Sequence, residues 1–582
     1  MDRYTGYWPS PSGSTRAGAL VAFEEVDEQH IPLFTIMNQG VDGPHAQNEA
    51  HRYPFAGAAN PKVRLGVVAN DGSSSSSPAA PTWFDLSGPF GDDFYLARVH
   101  WITNPLDREE APAHVLVAQV QSRDQKSLAL LKLDPETGGV STLFTETSES
   151  WINLHDVFTP INHGRELLWA SERSGWRHLY VHSLTTGETL RQLTKGKWAV
   201  DEVVAVDAFG EEEVAAYVYL LGSSAAAADG TPLAAGAYTE QHLYRVRLDS
   251  SDEAPERLTA AAGVHSGVAI AHKRTCFVDQ YSSASEPMRA LLTPLDKSSE
   301  AIVLHEASER DARVGALSAI LKPPSFASFP STDGKVELNA ALYTPDPAVH
   351  GPGPYPCIIS CYGGPHVQWV QNSWARMTAD LSAQMYASQG YLVVKVDNRG
   401  ADRRGLAFEA AIRGKLGVLE VDDQVAAVNY AVSRGLADAA RVGIMGWSYG
   451  GYLSAMCLAK APHVFRCAVA GAPVTSWDGY DTHYTERYCD GTPASNPSAY
   501  SDSSVMAHVG QMEGALMLVH GLMDENVHFR HTARLTQAMV EAQKTYELLC
   551  FPKERHSPRS LKDRTYMEQR IASFLHRWLK GG

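Results

Sequence analysis

A chain of 582 residues, 44% hydrophobic and 20% charged, is too long for one ordinary core and has the make-up of a globular protein, so two domains are expected. Its formal net charge of −16 argues against nucleic acid and anionic membrane surfaces as main partners. The seven cysteines are irregularly spaced and several lie in apolar runs, so they read as reduced core thiols. Cys357 and Cys361 lack a second pair, and neither metal nor cofactor is expected. No stretch approaches the length of a membrane span, and residues 1–20 lack the form of a signal peptide, which points to a cytoplasmic protein.

Along the chain, the first half repeats. Four segments have the form strand, polar turn, strand: Leu130–Phe144, Leu179–Thr194, Leu243–Thr259 and Ala290–Leu304. Their starts lie 49, 64 and 47 residues apart, and the long interval holds the Gly/Ser/Ala-rich insertion Gly222–Ala237, a surface loop. Hairpins recurring at this period suggest propeller blades, each a small sheet that needs neighbours on both sides. With the sheet-like region before residue 130, about five blades are expected. Ser73–Pro81 is low-complexity and reads as a loop.

Composition changes over residues 311–330, where Pro323-Pro324 and the stretch Phe329 to Gly334 read as linker and turn. This divides the chain into an all-β portion, 1–315, and a second domain, 316–582. Strand candidates beyond the boundary are Val336–Tyr343, Tyr355–Ser360, Tyr391–Val396, Val442–Met445, Cys467–Ala470, Ala515–His520 and Tyr546–Phe551. Helical patterns fill the gaps at Ala375–Ser388, Val421–Ser433, Leu453–Ala461, His531–Glu541 and Met567–Leu579. Such alternation implies a mostly parallel sheet covered by helices, with catalytic groups at the carboxyl ends of its strands.

One of those strand ends carries Gly446-Trp447-Ser448-Tyr449-Gly450. Apolar run, sharp turn with serine at the apex, then helix formers: this is the nucleophile elbow of an α/β-hydrolase. Serine needs a base, and the base needs an orienting carboxylate, in the chain order Ser, acid, His. Asp524 and His556 each follow a strand and can converge on Ser448. His520 precedes the acid inside its strand and reads as a core histidine. Of Asp524 and Glu525 only one can face His556, and Asp524 is chosen. The N–H of Tyr449 is one oxyanion donor. Tyr362, in Tyr362-Gly-Gly-Pro365, is a candidate for the second, although a Tyr before Gly-Gly is more often a turn residue.

These residues carry a resemblance. Gly446 to Gly451, Tyr484-Thr-Glu-Arg-Tyr488, Glu420-Val-Asp-Asp-Gln424 and Asp524 to Phe529 resemble the signatures of the dipeptidyl peptidase IV family in the prolyl oligopeptidase clan of serine peptidases. His520 to His531 with Glu554-Arg-His-Ser557, and upstream Asp2 to Trp8, Tyr53 to Pro61 and Ser171 to Tyr180, are similar to its cytosolic eight and nine branch. The resemblance runs nearly end to end. It implies an α/β-hydrolase domain preceded by a partial all-β propeller that acts as a size filter. It implies release of Xaa-Pro or Xaa-Ala dipeptides from peptides with a free N-terminus, and a homodimer.

By the same resemblance Tyr362 is the oxyanion tyrosine, and Trp477, Tyr480, Tyr484, Asn526, Val527 and Tyr449 line the pocket for the penultimate residue. A compact aromatic cage suits a pyrrolidine ring, and Asn526 is placed to hold a substrate carbonyl.

The family also clamps the substrate ammonium with a Glu-Glu pair just before the stretch that starts here at Asp2. With only Met1 ahead of it the pair is missing, and the sequence reads as a truncated form. Glu24 and Glu25 lie in the next strand and read as solvated residues. Two further readings follow: an oligopeptidase or acylaminoacyl-type hydrolase of the clan, or a propeller scaffold bearing an inactive hydrolase.

Overall fold

In the computed structural model, which describes residues 6–11, 19–42, 47–70, 80–103, 114–207, 216–223, 237–249 and 253–581, the first-half strands come in fours. Most of the Gly222–Ala237 insertion, of the Ser73–Pro81 run and of the Asp2–Trp8 stretch lies outside the described residues. Three sets run in chain order as antiparallel sheets: Phe94 to Thr147, Phe158 to Gln192 and Val200 to Arg257. A fourth, Val264 to Glu306, is joined to the third by one parallel pairing, Gln241 with Val264. The four hairpins legible in the sequence are the third and fourth strands of these sets.

A further set at the start, Tyr7–Pro9, Ala19–Asp27, Lys62–Asn70 and Thr82–Phe84, carries an inserted hairpin, Leu33–Asn38 with Gln47–Arg52. That hairpin is an arm. No turn repeat announced it.

Why the sets stack is visible in strand His114–Ser122, which is buried on both faces. Leu116, Ala118 and Val120 pack with Leu65 and Val67 of the set before. Val115 and Val117, on the opposite face, pack with Leu167 and Trp169 of the set after. Leu168 and Val181 continue the relay to Val218 and Leu220, and Tyr219 and Leu221 pass it to Phe277. Period-2 alternation thus divides one strand between two cores, and no set can bury its apolar area alone. The outer strand Val140–Thr147 is largely exposed and correspondingly polar.

The second half is one eight-stranded sheet. Its strands are β1 Ser325–Pro330, β2 Glu337–Tyr343, β3 Tyr355–Cys361, β4 Leu392–Asp397, β5 Ala437–Trp447, β6 Cys467–Gly471, β7 Ala515–Gly521 and β8 Tyr546–Phe551. The spatial order is β1-β2-β4-β3-β5-β6-β7-β8, antiparallel at the first two pairings and parallel from β4 onward. Separate cores cover its two faces, one containing Ile359, Ile444 and Leu453, the other Ile358, Val393 and Phe574. All seven cysteines are free, and five are buried.

The structure corrects the sequence reading in three places. The linker of 311–330 is ordered: Asp311 caps a helix Ala312–Ile320, and β1 follows as an edge strand. Pro330 ends that edge, where a missing N–H costs no ladder bond. The helix expected over Ala375–Ser388 breaks at Asp380, which caps Leu381–Ser388 by accepting from the Ala383 N–H at 3.0 Å. The helix after Ser448 starts at Tyr449 rather than Leu453, because Gly450 and Gly451 form its first turn.

Asp397, at the end of β4, accepts from the N–H groups of Trp369 at 2.6 Å and Val370 at 3.2 Å and so pins the loop that follows Tyr362. Burial pushes its carboxyl up to about 7, against those bonds and the nearby Arg404 and Arg403. A folded value above the unfolded one, roughly 3.9, means stability present at low pH and lost as pH rises through about 7. Asp397→Asn keeps the acceptor and removes the titration. Melting temperatures between about pH 5 and pH 8 are expected to fall more in the parent chain than in this variant. Parallel curves would refute the assignment.

Candidate active site

The elbow is built by close approach. Ser448 has φ 60° and ψ −117°, a strained backbone for a residue with a side chain. A Cβ on Gly450 would lie 2.4 Å from the Cys361 carbonyl oxygen, and one on Gly446 would lie 2.5 Å from it. The end of β3 therefore packs directly on the turn. The Ser448 N–H donates to Gly471 O at 2.8 Å, fixing the apex to β6. Beyond it the helix Tyr449–Lys460 presents its positive end.

Asp524 follows β7 and is fully buried. Its Oδ1 accepts from the N–H groups of Asn526 at 3.0 Å and Val527 at 2.9 Å, and its Oδ2 accepts from His556 Nδ1 at 2.7 Å. Burial alone would raise this carboxyl; hydrogen bonds from His520 and His556 outweigh it and hold the group down at about 2. Asp524 is an anion throughout the physiological range. His556 follows β8, and its carbonyl accepts from the Trp447 indole at 2.8 Å, tying the base's loop to the elbow. Ser448 Oγ makes no hydrogen bond among the described residues, so the last link to His556 is open here; such contacts commonly tighten only around substrate.

Glu525, the competing acid, is exposed and paired with Arg555 at 3.0 Å. His520 is buried, as a core histidine should be, but it also touches the acid. Its Nε2 lies 3.2 Å from Asp524 Oδ2 and 2.8 Å from Val527 O, while Nδ1 accepts from the Thr532 hydroxyl at 2.7 Å. Two imidazoles share one carboxylate oxygen. A strand-end histidine four residues before the acid was the only sequence signal for this.

Tyr362 follows β3, and burial pushes its phenol up, so it stands as an O–H donor. Gly364 lets the Tyr449 ring approach: a Cβ there would meet Tyr449 Cγ at 2.9 Å. The remaining expected residues converge. Trp477 stacks on Tyr484 at 5.8 Å with an interplanar angle of 17°, and Tyr480 stands edge-on to Tyr484 at 5.5 Å. Tyr449 closes the cage 5.6 Å from Trp477, and Val527 is fully buried. The Tyr480 hydroxyl donates to Asn526 Oδ1 at 2.8 Å, which leaves the Asn526 amide N–H groups to face a ligand.

Comparison with known proteins agrees with this geometry. Residues 377–582 match the prolyl oligopeptidase family, and residues 1–288 match the dipeptidyl peptidase IV (DPP IV) N-terminal region. Human dipeptidyl peptidase 8 is 33% identical over 99% of this chain and 68% of its own length, and the mouse protein of that name gives the same values. The chain belongs to the dipeptidyl peptidase IV family. Among solved structures, Porphyromonas gingivalis dipeptidyl peptidase 4 superposes with a TM-score of 0.81 at 26% identity, over 96% of this chain and 73% of that one.

The family signature Tyr484 to Tyr488 also supplies residues that sequence reasoning left without a role. Glu486 accepts from Arg123 at 2.7 Å, and Arg487 donates to Gln125 Oε1 at 2.6 Å, joining the cage helix to the propeller. Glu25 is exposed and bonded to Arg64, an ordinary surface residue. Replacing Gly450 by Ala tests the elbow. The new methyl faces a backbone carbonyl that cannot step aside, so a loss of about 3 kcal/mol in unfolding free energy is expected with loss of activity. A variant that melts with the parent would disprove the close-approach argument.

Proposed function

We propose that Ser448, His556 and Asp524 carry out the serine dipeptidyl peptidase chemistry that belongs to this family, on peptides with a free N-terminus and Pro or Ala in the penultimate position. The observation that supports it best is the Asp524–His556 hydrogen bond, 2.7 Å long, formed beside a serine elbow and a closed aromatic cage. His556 accepts the Ser448 proton as Oγ attacks the carbonyl of the second residue. Asp524 holds the ring with Nδ1–H toward itself and stabilises the imidazolium. The oxyanion receives the Tyr449 N–H and the Tyr362 O–H. Collapse breaks the C–N bond, the amine leaves with the proton from His556, and water then releases the dipeptide from Ser448 by the same steps in reverse.

The cage made by Trp477, Tyr480, Tyr484, Tyr449 and Val527 suits a small, rigid apolar ring, and Asn526 holds the carbonyl of the first residue through the amide that Tyr480 leaves free. The propeller, placed at residues 1–315, limits access to the hydrolase, residues 316–582. We place the protein in a reducing cytosolic compartment on its seven free thiols. A homodimer is supported by apolar side chains exposed on the hydrolase, Val540, Leu548 and Leu561, and on the arm, Leu33 and Met37.

Ser448→Ala should fold as the parent does and lose turnover by a factor on the order of 10⁶. A chromogenic Gly-Pro amide with a free amine should be hydrolysed faster than its N-acetyl form. Equal or reversed preference would reassign the chain to acylated or internal peptide substrates.

A further inference from the structure

The segment Glu420-Val-Asp-Asp-Gln424 plays no part in the chemistry above, yet it is an expensive piece of sequence. Glu420, Asp423 and Gln424 lie on one face of the helix Leu419–Ser433, and all three are fully buried. Burying three polar side chains side by side is unfavourable unless each is bonded. Their partners are specific.

Glu420 Oε1 accepts from the Tyr449 hydroxyl at 2.6 Å and from the Gly417 N–H at 3.0 Å. Gln424 Nε2 donates to Asn398 Oδ1 at 2.9 Å, and Asn398 Nδ2 donates to Gly363 O at 3.0 Å. Asp423 takes the Arg399 N–H at 2.8 Å and Arg399 Nη2 at 2.7 Å, which locks the end of β4 that carries Asn398. One helix face therefore reaches two places at once. Through Glu420 it holds the side chain whose own N–H points at the oxyanion; through Gln424 and Asn398 it holds the residue next to Tyr362.

We propose that Glu420 and Gln424 are positioning residues that set the separation of the two oxyanion donors. This rests on the assignment of Tyr449 N–H and Tyr362 O–H as those donors. The physical demand is geometric: donors must sit at about 2.7–3.1 Å from the oxygen of the transition state, and a displacement of about 1 Å costs on the order of 10²-fold. The tyrosines come from two different strand ends, β3 and β5. Strand pairing fixes β3 as far as Cys361 and β5 as far as Trp447, but Tyr362 and Tyr449 lie just beyond those ends, and no ladder bond fixes the turn at Gly363 or the seat of the Tyr449 ring.

The chemistry of Glu420 sharpens the inference. Its Oε2 has no hydrogen-bond partner among the described residues, and burial pushes the carboxyl up. One accepting oxygen does everything the geometry requires, so an amide, which keeps that oxygen, should replace the acid without loss.

The test uses the full chain, a chromogenic Gly-Pro amide, a dipeptide boronic acid that forms a tetrahedral adduct on serine, and the product dipeptide as a ground-state competitor. Glu420→Leu, Gln424→Leu and Tyr449→Phe are each expected to lower kcat by tenfold or more at unchanged KM. Boronate Ki should rise by the same factor, with no change in product Ki. Glu420→Gln should stay within about twofold of the parent. Glu420→Leu combined with Tyr449→Phe should cost no more than either alone, since both break one bond.

Tyr449→Phe removes only a hydroxyl and keeps the experiment decisive if the leucine variants do not fold. The proposal is overturned if kcat is unchanged in Tyr449→Phe, or if boronate and product affinities fall together, which would signal collapse of the cage. Tyr362→Phe separates the two layers. Loss there with none in the helix variants removes the positioning role alone; no loss there removes the oxyanion assignment and the proposal with it.

Discussion

The proposed chemistry depends on keeping one buried carboxylate ionised. Taking Asp524 out of water works against its charge, and the fold answers with four donors: two backbone N–H groups on Oδ1 and two imidazoles on Oδ2. Asp524 is thus part of its own turn. The N–H groups of Asn526 and Val527 close the loop onto the side chain, and that closure carries Asn526 into the cage. Asp524 and the Asn526 amide are set by one local structure, so neither can move without the other.

The loop is also held from outside by the arm. Phe34 stacks on His528 at 3.8 Å, with Tyr53 at 4.6 Å, and burial pushes that imidazole down to about 4, making it a neutral plug. On the other loop, Arg555 binds Glu49 of the arm at 2.9 Å and Glu525 at 3.0 Å, immediately before His556. An exposed ion pair contributes little to stability. Two contacts that bring the base's loop and the acid's loop under one hairpin restrict their relative motion. The propeller half thereby does more than narrow the entrance: it forms part of the frame around the triad.

How much of this was legible in sequence depended on range. The elbow was, because it needs glycine at 446 and 450 whatever the rest of the fold does, and so was the pairing of Asp524 with His556, because both follow strands in a fixed order. The hairpin of strands three and four in four of the blades was, because a polar turn between two short apolar runs is a local signal. What escaped was long-range. Glu49 and Arg555 are 506 residues apart, and the repeated strand–turn–strand form seen at Leu130–Phe144 has no counterpart that marks the arm. The Asp380 helix break and the ordered strand at Ser325–Pro330 were missed for the opposite reason: local breakers were visible, but the cap and the edge position that make them tolerable depend on neighbours.

The cage shows the same division. Six residues were named by resemblance, but their arrangement follows from one polar contact. Tyr480 could spend its hydroxyl on water; it donates instead to Asn526 Oδ1. That choice orients the amide, and an amide has only one way left to present its N–H groups. Rotate Asn526 and the donor becomes an acceptor, repelling the carbonyl it should hold. Trp477 stacked on Tyr484 walls the apolar side, Arg487 behind that helix is bonded to Gln125 of the propeller, and Tyr449 links cage to elbow. In the proposed reaction a ring that fills the cage seats against the same tyrosine whose N–H serves the oxyanion, so recognition of the penultimate residue and stabilisation of the transition state share a side chain and its backbone.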